Sequence, residues 1–142
     1  MTDEAALVSG PVPVPAQEDL PYWEGLRRRE LVLHRCDACG ALRQRAELLC
    51  GDCGGESFTW TPLSGRGTLY SYAVARRTWV RGFDAQLPYV IVAVSVAEWP
   101  ALLLTTNLVG EFDVDGLELF QPVRAAFEER GEWTLLQFEL DR

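Results

Sequence analysis

From Gly67 onward, short apolar runs alternate with turn-forming residues. Gly67–Val74 alternates in part and is rich in β-formers, and Tyr89–Val96 is an apolar run introduced by Pro88. Ala101–Leu108, Val123–Phe127 and Trp133–Leu140 complete five predicted strands. Between the third and fourth lies 109–121, room for one helical turn or a loop. Five strands interrupted at that point predict an OB-fold, a small partly open barrel, over 62–142.

Upstream the pattern differs. Leu31-Val32-Leu33 and Ser57–Thr61 read as short strands that bracket a compact β unit over 31–61. Asp19–Glu30 reads as a helix, with Asp19 as cap and Pro21 in the first turn. Tyr22, Trp23 and Leu26 fall near one face of it. That face either packs on the chain's own barrel or docks onto a partner. Residues 1–18 carry Pro11, Pro13 and Pro15 among small residues and read as an extended arm. The expected fold class is mainly β: an N-terminal helix, a small β unit and a five-stranded barrel.

The unit over 31–61 holds all four cysteines, Cys36-x-x-Cys39-Gly40 and Cys50-x-x-Cys53-Gly54. A Cys-x-x-Cys turn brings two thiolates to one side of an ion, and the following glycine relieves the tight backbone. Two facing turns complete a four-thiolate shell, a rubredoxin-like ribbon. No secretory signal pattern precedes the cysteines, so a reducing, cytoplasmic setting is expected and disulfides are not. A thioredoxin-like site needs one such turn in a βαβ setting, not two in tandem. Zinc is the expected ion, and iron also suits a tetrahedral four-sulfur shell. A closed shell leaves no open position, so the metal's role is structural. A unit this small depends on the ion to fold.

Composition narrows the function. The chain has 142 residues, is 48% hydrophobic, and carries a net charge of −8. No apolar run approaches the ~18 residues of a membrane span. Four thiolates around one divalent ion subtract two more charges, so polyanions are not attracted overall. There is no lysine, which excludes a Schiff-base or phosphate-loop lysine in this chain. The single histidine, His34, reads as a polar neighbour of the first cysteine turn. Without a second histidine or a Gly-x-Ser-x-Gly elbow, self-contained hydrolytic catalysis is not expected.

Two loops carry candidate chemistry. Glu111-x-Asp113-x-Asp115-Gly116 imitates the start of a calcium loop, but Pro122 stands where the closing glutamate belongs. The loop after the first barrel strand holds Arg76, Arg77, Trp79, Arg81 and Phe83. OB-type barrels often bind ligands there, and arginine forks suit phosphates and carboxylates. Trp with Arg is also the composition of interface hot spots.

Several segments, in order, resemble the DUF35 family. They are Tyr22-Trp23-Glu24-Gly25-Leu26, Leu33-x-Arg35-Cys36-x-x-Cys39-Gly40, Cys50-x-x-Cys53-Gly54, Ser64–Tyr72, Leu87-Pro88-Tyr89-Val90 and Thr106-Asn107-Leu108-Val109-Gly110. The chain departs from the family's frequent proline-rich sequence between the cysteine turns, having Arg45-Ala46-Glu47. It also has Phe120-Gln121-Pro122-Val123 in place of a Gly-Met-Pro-Val turn. The resemblance implies a zinc ribbon followed by an OB-fold, in a non-catalytic accessory subunit. Its partner would be a thiolase-like aldolase of the lipid-transfer-protein type, an acyltransferase, or a MaoC-like enoyl-CoA hydratase, joined in a hetero-oligomer. A thiolase-like aldolase acting on a steroid acyl-CoA is one such partner in steroid side-chain breakdown. The partner-contact candidates are the arm and helix of residues 1–30 and the Arg76–Phe83 loop. Direct binding of CoA or acyl-CoA through Arg76, Arg77 or Arg81 is the alternative. A single-stranded nucleic-acid module, which ribbon plus OB architecture also permits, is opposed by the charge.

Overall fold

The computed structural model describes residues 11–142. Residues 1–10, the first part of the expected arm, lie outside the described residues. One turn of 3-10 helix, Gln17–Asp19, leads into α1, Leu20–Arg27. The helix is shorter than the 19–30 stretch, and Asp19 makes no side-chain cap bond. Asp19 turns away instead: its carboxylate accepts from the Ala46 N–H at 2.8 Å and pairs with Arg45 at 3.5 Å. It ties the helix start to the loop between the cysteine turns.

Strands β1 (Leu31–Cys36), β2 (Leu42–Arg43) and β3 (Phe58–Leu63) form a three-stranded antiparallel sheet in the order β2-β1-β3. β3 runs through Pro62, which pairs with Val32, so the ribbon's last strand outlasts the expected boundary at 61. Proline is tolerated because β3 is the edge of this sheet. The other five strands are β4 (Arg66–Ala75), β5 (Tyr89–Val96), β6 (Trp99–Leu108), β7 (Pro122–Arg130) and β8 (Trp133–Leu140). They close a barrel in the order β4-β5-β6-β8-β7, with β4 meeting β7 over Arg66–Thr68. That order and a parallel β6–β8 contact at Leu108 and Phe138 are the OB arrangement. The 109–121 interruption contains one 3-10 turn, Val114–Gly116, in which Asp113 caps the Asp115 N–H. The calcium-loop imitation is thus an ordinary capped turn.

One core joins ribbon, helix and barrel. Leu26 and Leu33, both 0% exposed, belong to the same apolar cluster as Leu69, Val94 and Phe138. Tyr22 is buried in this cluster too, its hydroxyl accepting from Gln44 Nε2 at 3.1 Å. Trp23 is half-buried, meeting Trp133 edge to face at 6.1 Å. The helix face is therefore spent on the chain's own interior. Tyr22 and Leu26 offer a partner no free surface in this conformation, which answers the question the sequence left open.

Candidate functional site

Each cysteine turn is built by the same pair of backbone bonds. In the first, Gly40 N–H donates to Cys36 O and Cys36 N–H to Ala41 O, both at 2.9 Å. In the second, Gly54 donates to Cys50 O and Cys50 to Gly55 O, both at 2.8 Å. Gly40 and Gly54 take φ of +79° and +77°, which glycine alone adopts without strain. The sequence signal Cys-x-x-Cys-Gly is the chemical record of this turn.

The two turns face one another. Cys36 and Cys53 Sγ are 3.6 Å apart, as are Cys39 and Cys50 Sγ, and all four sulfurs lie within 4.8 Å of one another. A disulfide would need about 2.05 Å. A tetrahedron with metal–sulfur bonds of about 2.3 Å has edges of about 3.8 Å. The four thiols thus fit a metal ion, and Cys36 and Cys50 are buried while Cys39 and Cys53 are exposed.

The electrostatics agree. The backbone N–H of Cys39 helps hold the Cys36 thiol down to about 7. Cys53 is pushed up to about 12 although the Gly55 N–H favours its thiolate, because Cys36 and Cys39 crowd it with sulfur. A first thiolate forms easily beside the others and a last one does not. A cation among them is what lets all four ionise together.

The surroundings are supportive, not reactive. Arg43 pairs with Asp52 at 3.1 Å and Glu47 at 3.7 Å, bracing the second turn. Asp37 accepts from Ser57 and Thr59 hydroxyls, both at 2.6 Å, which fastens the first turn to β3. His34 is buried, stacked on Phe58 with ring centroids 4.3 Å apart, and its Nδ1 accepts from the Glu47 N–H at 3.4 Å. Burial lowers its pKa, so it packs as a neutral ring. It is the structural neighbour that its sequence position indicates.

The arginine loop follows β4. Arg76, Arg77 and Arg81 are exposed, and among the described residues they form no ion pair. Trp79 stands 91% exposed beside them. Phe83 differs: it is half-buried against Tyr89, with the Arg130 guanidinium 5.9 Å above its ring. So Phe83 anchors the loop while its neighbours face solvent.

Two groups escaped the sequence reading. Tyr70, 49% exposed, is the extra residue where the β4–β5 register shifts between Leu69 and Ser71, and Phe120, 64% exposed, meets it edge to face at 6.3 Å. Buried Arg130 and Gln137 hold Glu128 near one end of the barrel. A bulge has no signature in residue type, and Glu128-Glu129-Arg130 reads as a solvated turn.

A family model for the C-terminal OB-fold domain of ChsH2 matches residues 60–128. The solved structure of an Ltp2-ChsH2(DUF35) aldolase contains a chain 32% identical to this one, with a TM-score of 0.77. The match covers 91% of this chain and 98% of that one. The chain belongs to the DUF35 family. A second DUF35 protein, of unknown function and from Sulfolobus solfataricus, shares the fold at 15% identity and a TM-score of 0.54, covering 84% of this chain and 82% of that one.

Two curated relatives carry enzyme names. A probable enoyl-CoA hydratase alpha subunit of Thermomonospora curvata is 34% identical over 124 residues, 86% of this chain and 37% of that protein. The benzoylsuccinyl-CoA thiolase subunit BbsA of Geobacter metallireducens is 32% identical over 100 residues, 70% of this chain and 59% of that protein. This DUF35 chain therefore spans less than two thirds of either curated relative.

Proposed function

We propose that this DUF35 chain is a non-catalytic subunit that binds and supports a thiolase-superfamily enzyme acting on an acyl-CoA. The observation that carries this is the likeness to the ChsH2 chain of an aldolase over nearly its whole length. The thiolase-subunit relative points the same way. The chain's own chemistry agrees: its sole histidine is buried in packing, it has no lysine, and its thiols are grouped for an ion. The ion is zinc, held for structure by Cys36, Cys39, Cys50 and Cys53 in a reducing cytoplasm. The contact surface includes Arg76, Arg77, Trp79 and Arg81, whose charges no described residue neutralises. The hydratase relative makes a MaoC-like hydratase the second partner to test.

Co-purification from the native source, with metal analysis of the same sample, is the test. The expected result is a hetero-oligomer with a thiolase-like enzyme and about one zinc per DUF35 chain. A partner whose activity and stability are unchanged when this chain is omitted refutes the proposal. The other reading, direct binding of CoA by the same arginines, predicts a loss of CoA affinity when all three become alanine.

A further inference from the structure

One end of the barrel holds a cavity of about 480 Å³, used by neither the cysteine centre nor the arginine loop. It lies where the end of β4, the start of β5, the end of β6 and the Phe127–Glu128 stretch of β7 meet. Val74, Val90, Leu108, Val109, Phe112 and Phe127 give it mainly apolar walls. Its volume falls in the range of small-molecule sites.

Its polar part is built, not incidental. Gln137 is 4% exposed, and its Oε1 accepts from the Asn107 N–H at 3.2 Å; the Thr106 hydroxyl lies 2.9 Å from the same oxygen and 2.7 Å from the Leu136 carbonyl. That fixes the amide, so Nε2 donates to Glu128 Oε2 at 2.7 Å. Arg130, 6% exposed, donates from Nη2 to both Glu128 oxygens at 3.2 and 3.1 Å. Asn107 Nδ2 donates one of its two N–H groups to the Val90 carbonyl at 3.2 Å.

Glu128 thus accepts three bonds from two oriented donors, while a carboxylate has about four acceptor positions. Its side chain is 39% exposed, and Glu128 lines the cavity. Arg130 balances its charge, so the ligand need not be a cation. A ligand that only accepts would find no partner at Glu128, whose remaining position is a lone pair. What complements this space is an apolar body with one donor directed at Glu128.

We propose that the cavity binds a small neutral molecule with an apolar body and one hydroxyl or amide N–H, which Glu128 accepts. This site would belong to the DUF35 chain itself, so it stands or falls independently of the partner enzyme.

Cyclohexanol and cyclohexanone test it, being alike in shape and differing in whether they donate. Each is titrated into the full chain with its metal bound, and backbone amide shifts are followed. Saturable cyclohexanol shifts are expected at Val90, Leu108 and Val109, with cyclohexanone about tenfold weaker. Glu128→Met, which keeps the length but removes the acceptor, should bring the two to within about twofold, and Val109→Trp should abolish both by filling the space. Absence of saturable shifts overturns the proposal. So do shifts that map elsewhere, equal affinities in the unaltered protein, or an alcohol preference that survives Glu128→Met. The comparison in the unaltered protein decides the matter even if a variant does not fold.

Discussion

The Phe120 N–H donates to the Leu69 carbonyl at 2.6 Å while Phe120 itself holds a φ of +67°. Leu69 N–H returns a bond to Gln121 O at 2.9 Å, so the β4–β7 pairing extends into the turn before Pro122. A left-handed phenylalanine costs about 1–2 kcal/mol and persists where the surrounding structure holds it, here the paired backbone bonds with Leu69. The ring it presents is exposed and lies beside Tyr70.

Phe120→Gly should relieve the strain and lose little packing, because the ring is 64% exposed. Glycine's greater backbone entropy offsets part of the gain. We expect the variant to be about 0.5–1 kcal/mol more stable in urea unfolding. A destabilisation would mean that the ring contributes more to the fold than to a partner. Weaker capture of the partner by a more stable variant would place Phe120 in the interface.

Metal removal should act on one region first. The ribbon's own buried cluster is small, Cys36, Ala41 and Cys50 with Phe58 and Trp99 packed on it. Without an ion it has little to set against the entropy of its loops. Chelation, or Cys36→Ser, should broaden or collapse the amide signals of residues 36–57 while strands β5 to β8 keep theirs. A chelated protein whose cysteine turns keep their full amide dispersion would contradict this.

Gly67→Ala should be severe despite its small size. A Cβ there would lie 2.5 Å from the Ser95 carbonyl oxygen and 2.6 Å from Val94 Cγ1. The first contact is backbone within the β4–β5 ladder and cannot rotate away. The expected cost is about 1–3 kcal/mol, read as a lower thermal midpoint. Gly54→Ala is the contrast: its Cβ would meet nothing within 4 Å, and only its φ of +77° resists the change. That should cost about 1 kcal/mol and act on the ribbon.

Why some features were legible and others not follows from the physics. Strands β5 and β8 begin and end where their sequence runs do, and Pro88 and Gly131 mark where they start. The cysteine turns were legible because ligand spacing and glycine chemistry are local. Asp19 misled as a cap because two groups distant in sequence, Ala46 N–H and Arg45, compete for its carboxylate. The cavity's polar part was hidden because Glu128, Arg130 and Gln137 meet only once β7 and β8 pair. Their charge in sequence resembles any solvated hairpin end.

Arg76→Ala, Arg77→Ala and Arg81→Ala together should leave stability almost unchanged, since exposed residues without ion pairs contribute little to the fold. Their effect should fall on association. Three cations without ion pairs, close together in a chain of net charge −8, can orient an acidic partner surface during encounter. We expect the association rate with the proposed thiolase-like partner to fall about tenfold at low ionic strength. Its salt dependence should flatten, and the dissociation rate should change less. Trp79→Ala should show the reverse, because an apolar anchor acts after contact and is read in dissociation. If the triple variant associates at the unaltered rate across the whole salt series, the loop does not steer the partner, and the exposed face of Tyr70 and Phe120 becomes the next surface to test.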